Sequence, residues 1–209
     1  MFCSKVTNTM FNKKAPNWFL FFTLVIEGGA LMAVELIGAK MIAPYYGTSI
    51  YVWASVLAIT LGGLAIGYYT GGLISKKQPN QKTLYVIVAV SAILVLLMPI
   101  TSQLILAIDM GLRTGIIVSC IFFLMPQLIG FGMVSPMVVR LISENVKNIG
   151  SNAGTVYFTS TIGGILSTFF FGFYSIPYLG LMMSALLVGS SLLILVILFP
   201  ILGKGNVLS

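Results

Sequence analysis

From Trp18 the chain reads Trp18-Phe19-Leu20-Phe21-Phe22-Thr23-Leu24-Val25-Ile26-Glu27-Gly28-Gly29-Ala30-Leu31-Met32-Ala33-Val34-Glu35-Leu36-Ile37-Gly38-Ala39-Lys40-Met41-Ile42-Ala43. In this run only Glu27, Glu35 and Lys40 carry charge. A helix needs about 20 apolar residues to cross a bilayer core, and this run is longer than that. It also outruns the apolar part of a secretory signal, about 7–15 residues. Although Lys13 and Lys14 precede it, the run is expected to be retained as a first transmembrane helix.

The rest of the chain agrees with that reading. Of its 209 residues 58% are hydrophobic and only 7% charged, whereas a soluble domain carries about 25% charged residues. So few charges cannot cover a water-facing surface, and most of the outside must face lipid. The expected fold is an all-α membrane protein of about six transmembrane helices. Spans are expected near 17–43, 50–75, 83–107, 114–143, 153–174 and 180–200, within a domain 17–202 flanked by tails 1–16 and 203–209. The first span is expected to stop at Ala43-Pro44. Pro99, Pro126 and Pro136 are expected to kink their helices, and Pro177 to lie just beyond the fifth span.

Charge placement orients the bundle. With the N-terminus inside, Lys5, Lys13, Lys14, Lys76, Lys77, Lys82, Lys147 and Lys204 are all cytoplasmic, and Arg140 approaches that side. Arg113 is outside and Lys40 lies near the outer edge. This bias predicts a multi-pass protein of the plasma (inner) membrane with both termini cytoplasmic. The net charge of +7 is thereby explained by topology and does not call for nucleic acid. Cys3 and Cys120 lie 117 residues apart and read as free thiols at different depths, not as a disulfide or a metal site.

Glycines indicate the packing. Gly63, Gly67 and Gly71 follow a small-xxx-small spacing that puts them on one face of the second span, where backbones can approach closely. Gly28 and Gly29 thin the first span. Gly150, Gly154, Gly163, Gly164 and Gly172 are expected to do the same around the fifth. Such faces serve packing within one chain, a homodimer or helices that move.

Glu27 and Glu35 are the most informative residues. An intramembrane carboxylate costs at least about 2.5 kcal/mol, so each must face the bundle interior, find a partner or hold a proton. Glu35 lies eight residues beyond Glu27, about 12 Å higher and about 80° around the helix. One reading is a site for a cation or proton; the other is a structural ion pair or hydrogen bond. Lys40 either snorkels outward or pairs with Glu35 across helices. Arg140 either anchors at the interface or pairs with Glu144, four residues on. Hydroxyls of the fifth span either bond carbonyls of their own helix or line a polar cavity, with Tyr157, Ser160 and Thr161 the candidates for the latter. There is no histidine, no nucleotide-binding loop, no zinc spacing and no catalytic triad. No catalytic residue, metal or cofactor is therefore expected.

Several stretches resemble one family. These are the run Glu27-Gly28-Gly29 through Lys40, Ala43-Pro44-Tyr45-Tyr46-Gly47-Thr48-Ser49 with Tyr51-Val52-Trp53, Gly67-Tyr68-Tyr69-x-Gly71-Gly72, Gly132-Met133-Val134-Ser135-Pro136 with Arg140, and Tyr157-x-x-Ser160-Thr161-x-Gly163. Together they resemble the membrane domain of integral-membrane spermidine-synthase-like proteins, also called fused major facilitator/spermidine synthase proteins. The resemblance spans roughly 20–180. It implies a bundle like one half of a major-facilitator transporter, which a homodimer would complete. It also implies a small cationic ligand, polyamines in particular. Family members usually continue into a soluble aminopropyltransferase domain, and this sequence ends at Ser209. Two expectations follow: a transporter or binder of small cationic metabolites, or a membrane anchor or regulator for a separately encoded synthase. The sequence departs from the family at Ser75-Lys76-Lys77-Gln78-Pro79, which lacks the usual acidic-arginine pattern, and at Lys40, where arginine is usual.

Overall fold

The computed structural model describes residues 17–77, 80–106, 108, 111–143 and 149–202. The two tails, and with them Cys3, Lys5, Lys13, Lys14 and Lys204, lie outside the described residues, as do Asp109, Glu144 and Lys147. All regular structure among the described residues is helical. Five helical stretches are long and apolar enough to cross a membrane: Trp18–Tyr46, Ile50–Lys76, Gln81–Leu106, Met125–Ile142 and Ile149–Ile201.

The first helix, α1 (Asn17–Tyr46), runs two residues past the expected stop at Pro44. A proline lacks its own N–H and crowds the preceding turn, but it does not prevent helix beyond it. The terminator is Gly47, whose φ of 75° suits a residue without a side chain. Helix α2 (Ile50–Lys77) and helix α3 (Gln81–Leu106), which continues through Pro99, follow the expected spans closely.

The fourth span is broken rather than kinked. Helix α4 (Leu112–Phe123) ends and α5 (Met125–Ile142) begins around Leu124, two residues before Pro126. Pro126 has no N–H to give the Phe122 carbonyl four residues back, and at the next position the side-chain amide of Gln127 donates to the Phe123 carbonyl. Gln127 is fully buried, so this bond supplies a partner where lipid and water cannot. Pro136 leaves α5 continuous.

The fifth span, α6 (Ile149–Phe170), begins four residues earlier than expected. It passes directly into a π-helical segment, Phe171–Leu179, with Pro177 inside it rather than beyond it. The wider π turn accommodates a proline that an α-helix would resist. At Gly180, φ 80°, the chain folds back into α7 (Gly180–Leu202). The Ser175 and Ser184 hydroxyls meet at 2.8 Å across this reversal. The 53-residue stretch Ile149–Ile201 is therefore two passes, and α4 with α5 makes one, giving six.

Contacts along the helices fix their directions. Phe19, Tyr85 and Phe199 stack at one end, with ring centroids 5.8 and 4.1 Å apart. Met41, Ser102 and Leu181 share a cleft at the other. Helices α1 and α3 thus run one way and α7 returns. Leu124 lies against Gly38, and Tyr46 against Gly115, so α4–α5 also returns. Helix α6 runs parallel to α1, since Ser160 lies at Gly28 and Gly172 at Leu36. Helix α2 runs parallel to α5, with Gly63 at Leu128 and Gly71 at Met133. Successive passes alternate, and Asn17 and Leu202 lie at the same end. Helix α1 is central, α2 pairs with α5, and α3 pairs with α7.

Candidate functional site

Glu27 sits nine residues into α1 from the exposed Trp18, about 14 Å along the helix axis and well inside the hydrocarbon depth. Two glycines follow it because α6 crosses there with almost no gap. A side chain on Gly28 would collide with the Ser160 backbone, and one on Gly163 with the Val25 backbone. Ser167 Oγ donates to the Gly29 carbonyl at 2.7 Å. The same crossing brings Ser160 Oγ to 3.3 Å from Glu27 Oε2, where it donates to the carboxylate. Glu27 is 2% exposed.

The carboxylate lines a cavity of about 410 Å³. Helices α1 and α5 form its floor, and α2 and α6 are its walls. Tyr68 of α2 and Tyr157 of α6 meet edge to face across it, 6.4 Å between centroids and 84° between planes. Ser135, beside Pro136 of α5, is buried and also reaches the cavity. Its hydroxyl has no partner among the described residues. Tyr157, Ser160 and Thr161 all line this space with Glu27, although the Thr161 hydroxyl donates back to the Tyr157 carbonyl at 2.7 Å. Thr159 bonds its own helix in the same way. Both readings of the α6 hydroxyls thus apply, and Thr161 meets both: it lines the cavity while bonding its own helix.

Glu35 is also buried, 7% exposed, but it does not line this cavity. Among the described residues no ion pair joins either carboxylate to Lys40 or Arg140, and both cations are exposed. Glu144, the alternative partner for Arg140, lies outside the described residues. Arg113 stacks over the Tyr51 ring at 5.6 Å, at the far end of the bundle. Cys120 is a buried free thiol. No group of His, Cys, Asp or Glu among the described residues could hold a metal ion.

Sequence reasoning did not single out Tyr68, Ser135, Phe131 or Phe169 as lining residues. The signal for the first two was present: each stands next to a residue that sets helix packing or shape, Gly67 and Pro136. Comparison with known family models, curated proteins and solved structures gives no match.

Chemically, the site among the described residues is a single desolvated carboxylate with one neutral hydrogen-bond donor and no fixed cation. A buried anion without a counter-charge is costly. Such a group either carries a proton or pairs with a cation that enters the cavity.

Proposed function

We propose that this protein is a membrane transporter or binder of small cationic metabolites, with Glu27 as the counter-charge in its cavity. The observation that carries the proposal is the combination just described: a carboxylate within bilayer depth, open to a cavity, with Ser160 as its one hydrogen-bonding neighbour and no basic side chain beside it among the described residues. A purely structural acid would be expected to have its partner built in. Proton and cation compete for the same oxygens, so cation binding weakens as pH falls and Glu27 takes up a proton. Exchange of one for the other would suit a carrier that opens alternately to either side. The resemblance to spermidine-synthase-like membrane domains supports an organic amine as the cation.

Glu27→Gln is the test, because it keeps shape and removes charge. In lipid nanodiscs, the variant should keep the wild-type melting behaviour and lose binding of organic cations at least ~10-fold, about 1.4 kcal/mol. Wild-type affinity in the variant would make the carboxylate structural.

We also propose that both termini face the cytoplasm. The lysine distribution supports this, since the described basic residues Lys76, Lys82 and Arg140 fall at the end of the bundle where Asn17 and Leu202 lie, while Gly111 lies at the other. An impermeant thiol reagent applied outside cells should label a cysteine placed at Gly111 and spare one at Asn80; the reverse pattern sinks the orientation.

A further inference from the structure

We infer that the Glu27 cavity takes a lipophilic monocation, one positive charge carried on an apolar, aromatic-sized body, in preference to a multiply charged amine. This rests on the reading of Glu27 as a cation site and narrows its ligand class.

Charge count comes first. Among the described residues Glu27 is the one acid that lines the cavity. Glu35 lies eight residues along α1, about 12 Å away along the axis and about 80° around it, and is buried outside the cavity. A ligand with a second or third ammonium would bring those charges into a space with no acid to meet them. An ion taken from water without a counter-charge carries a heavy desolvation penalty. A monocation has no such surplus.

The walls give the rest of the ligand. Away from Glu27 the surface is made by Leu31, Met32, Leu64, Phe131, Ile165 and Phe169. This is a surface for hydrocarbon or rings, and the Met32 thioether adapts to irregular shapes. The Tyr68 and Tyr157 rings stand beside the carboxylate. Ring faces attract a delocalised or alkylated cation, and more strongly where water is excluded. A volume of about 410 Å³ falls within the range of sites for drug-sized ligands, about 300–1,000 Å³. Ser135 and Ser160 can accept from an N–H donor on the ligand, which leaves protonated amines and permanently charged onium ions both in the class.

Tetraphenylphosphonium and spermidine are the probes. The first has one charge that no pH change removes; the second has several and little apolar surface. Each is measured by equilibrium dialysis against the full chain in nanodiscs, with empty nanodiscs subtracted. Tetraphenylphosphonium should bind saturably and at least ~10-fold more tightly than spermidine. Glu27→Gln should weaken it at least ~10-fold. Tyr68→Leu should weaken it about threefold while leaving spermidine unchanged, and this half-exposed position tests the site even where Glu27→Gln fails to fold. Spermidine binding as tightly as tetraphenylphosphonium, and lost in Glu27→Gln, would overturn the monocation preference and leave the cation site standing. Binding of neither probe, or binding indifferent to both substitutions, would overturn both.

Discussion

Facing α6, helix α1 presents Gly28 and Gly29, and the two backbones touch. Facing α3 and α7 near its start, it presents Phe19 and Thr23, and the contact is made by rings and a hydroxyl. The glycine side is close at the crossing but cannot be filled everywhere. Where α6 leans on α1 and α2 leans on α5, the walls diverge and a cavity remains between them. The aromatic side is closed: Phe19, Tyr85 and Phe199 are all buried and stacked. Apolar burial gives no drive for helix association in lipid, so both sides depend on packing and hydrogen bonds. One spends its contacts at the backbone and leaves room for a ligand. The other, at its aromatic end, makes them through side chains that close on one another.

The glycine side should therefore be the easier to break. A side chain on Gly67 would meet the Ile129 carbonyl and, at 2.7 Å, the Gly132 Cα. Both are backbone atoms and cannot rotate away. Gly67→Leu is expected to destabilise the α2–α5 pair by about 3 kcal/mol, the upper part of the overpacking range. Gly62, one position from the packed Gly63, has nothing within 4 Å of its would-be side chain. Gly62→Leu should change stability by less than about 0.5 kcal/mol. Chemical unfolding of both variants in the same detergent decides it: equal losses would mean that glycine content, not backbone contact, sets the effect.

Much of this was legible in the residues. Apolar run length gave all six passes, and the spacing of Gly63, Gly67 and Gly71 marked a face that does touch α5. Gly150 and Gly154 share the composition of that pattern, yet each opens onto empty space. Spacing shows which residues share a face but not which face a neighbour covers. The break at Leu124 was hidden for a related reason. Pro126 and Pro136 look alike in sequence, but only Pro126 is followed by a glutamine whose amide can serve the disrupted turn. For the site, depth and chemistry singled out Glu27, Ser160, Tyr157 and Thr161. They could not separate Glu27 from Glu35, because the crossing of α6 decides which acid meets a cavity. Ser135 and Tyr68 come from helices distant in sequence and converge only through tertiary packing.

The aromatic side offers a finer test, because its buried hydrogen bond between helices has a direction. Thr23 Oγ1 donates to the Phe19 carbonyl at 2.8 Å and lies 3.0 Å from the Tyr85 hydroxyl. A hydroxyl has a single proton to give. With that proton committed to Phe19, Tyr85 must be the donor and Thr23 the acceptor. Both residues are fully buried, so neither has water to fall back on. Tyr85→Phe removes the donor and leaves Thr23 with its own bond intact. It should cost about 0.6 kcal/mol, the average for a hydrogen bond between membrane helices. Thr23→Val removes the acceptor and strands a buried phenolic O–H. Its cost should be larger, about 1–3 kcal/mol, because an unmet donor carries its full desolvation penalty. In the double variant no stranded group remains, so its loss should be smaller than the sum of the two singles. Unfolding free energies for the three variants, measured as one cycle, would reverse the assignment if Tyr85→Phe proved the costlier single change.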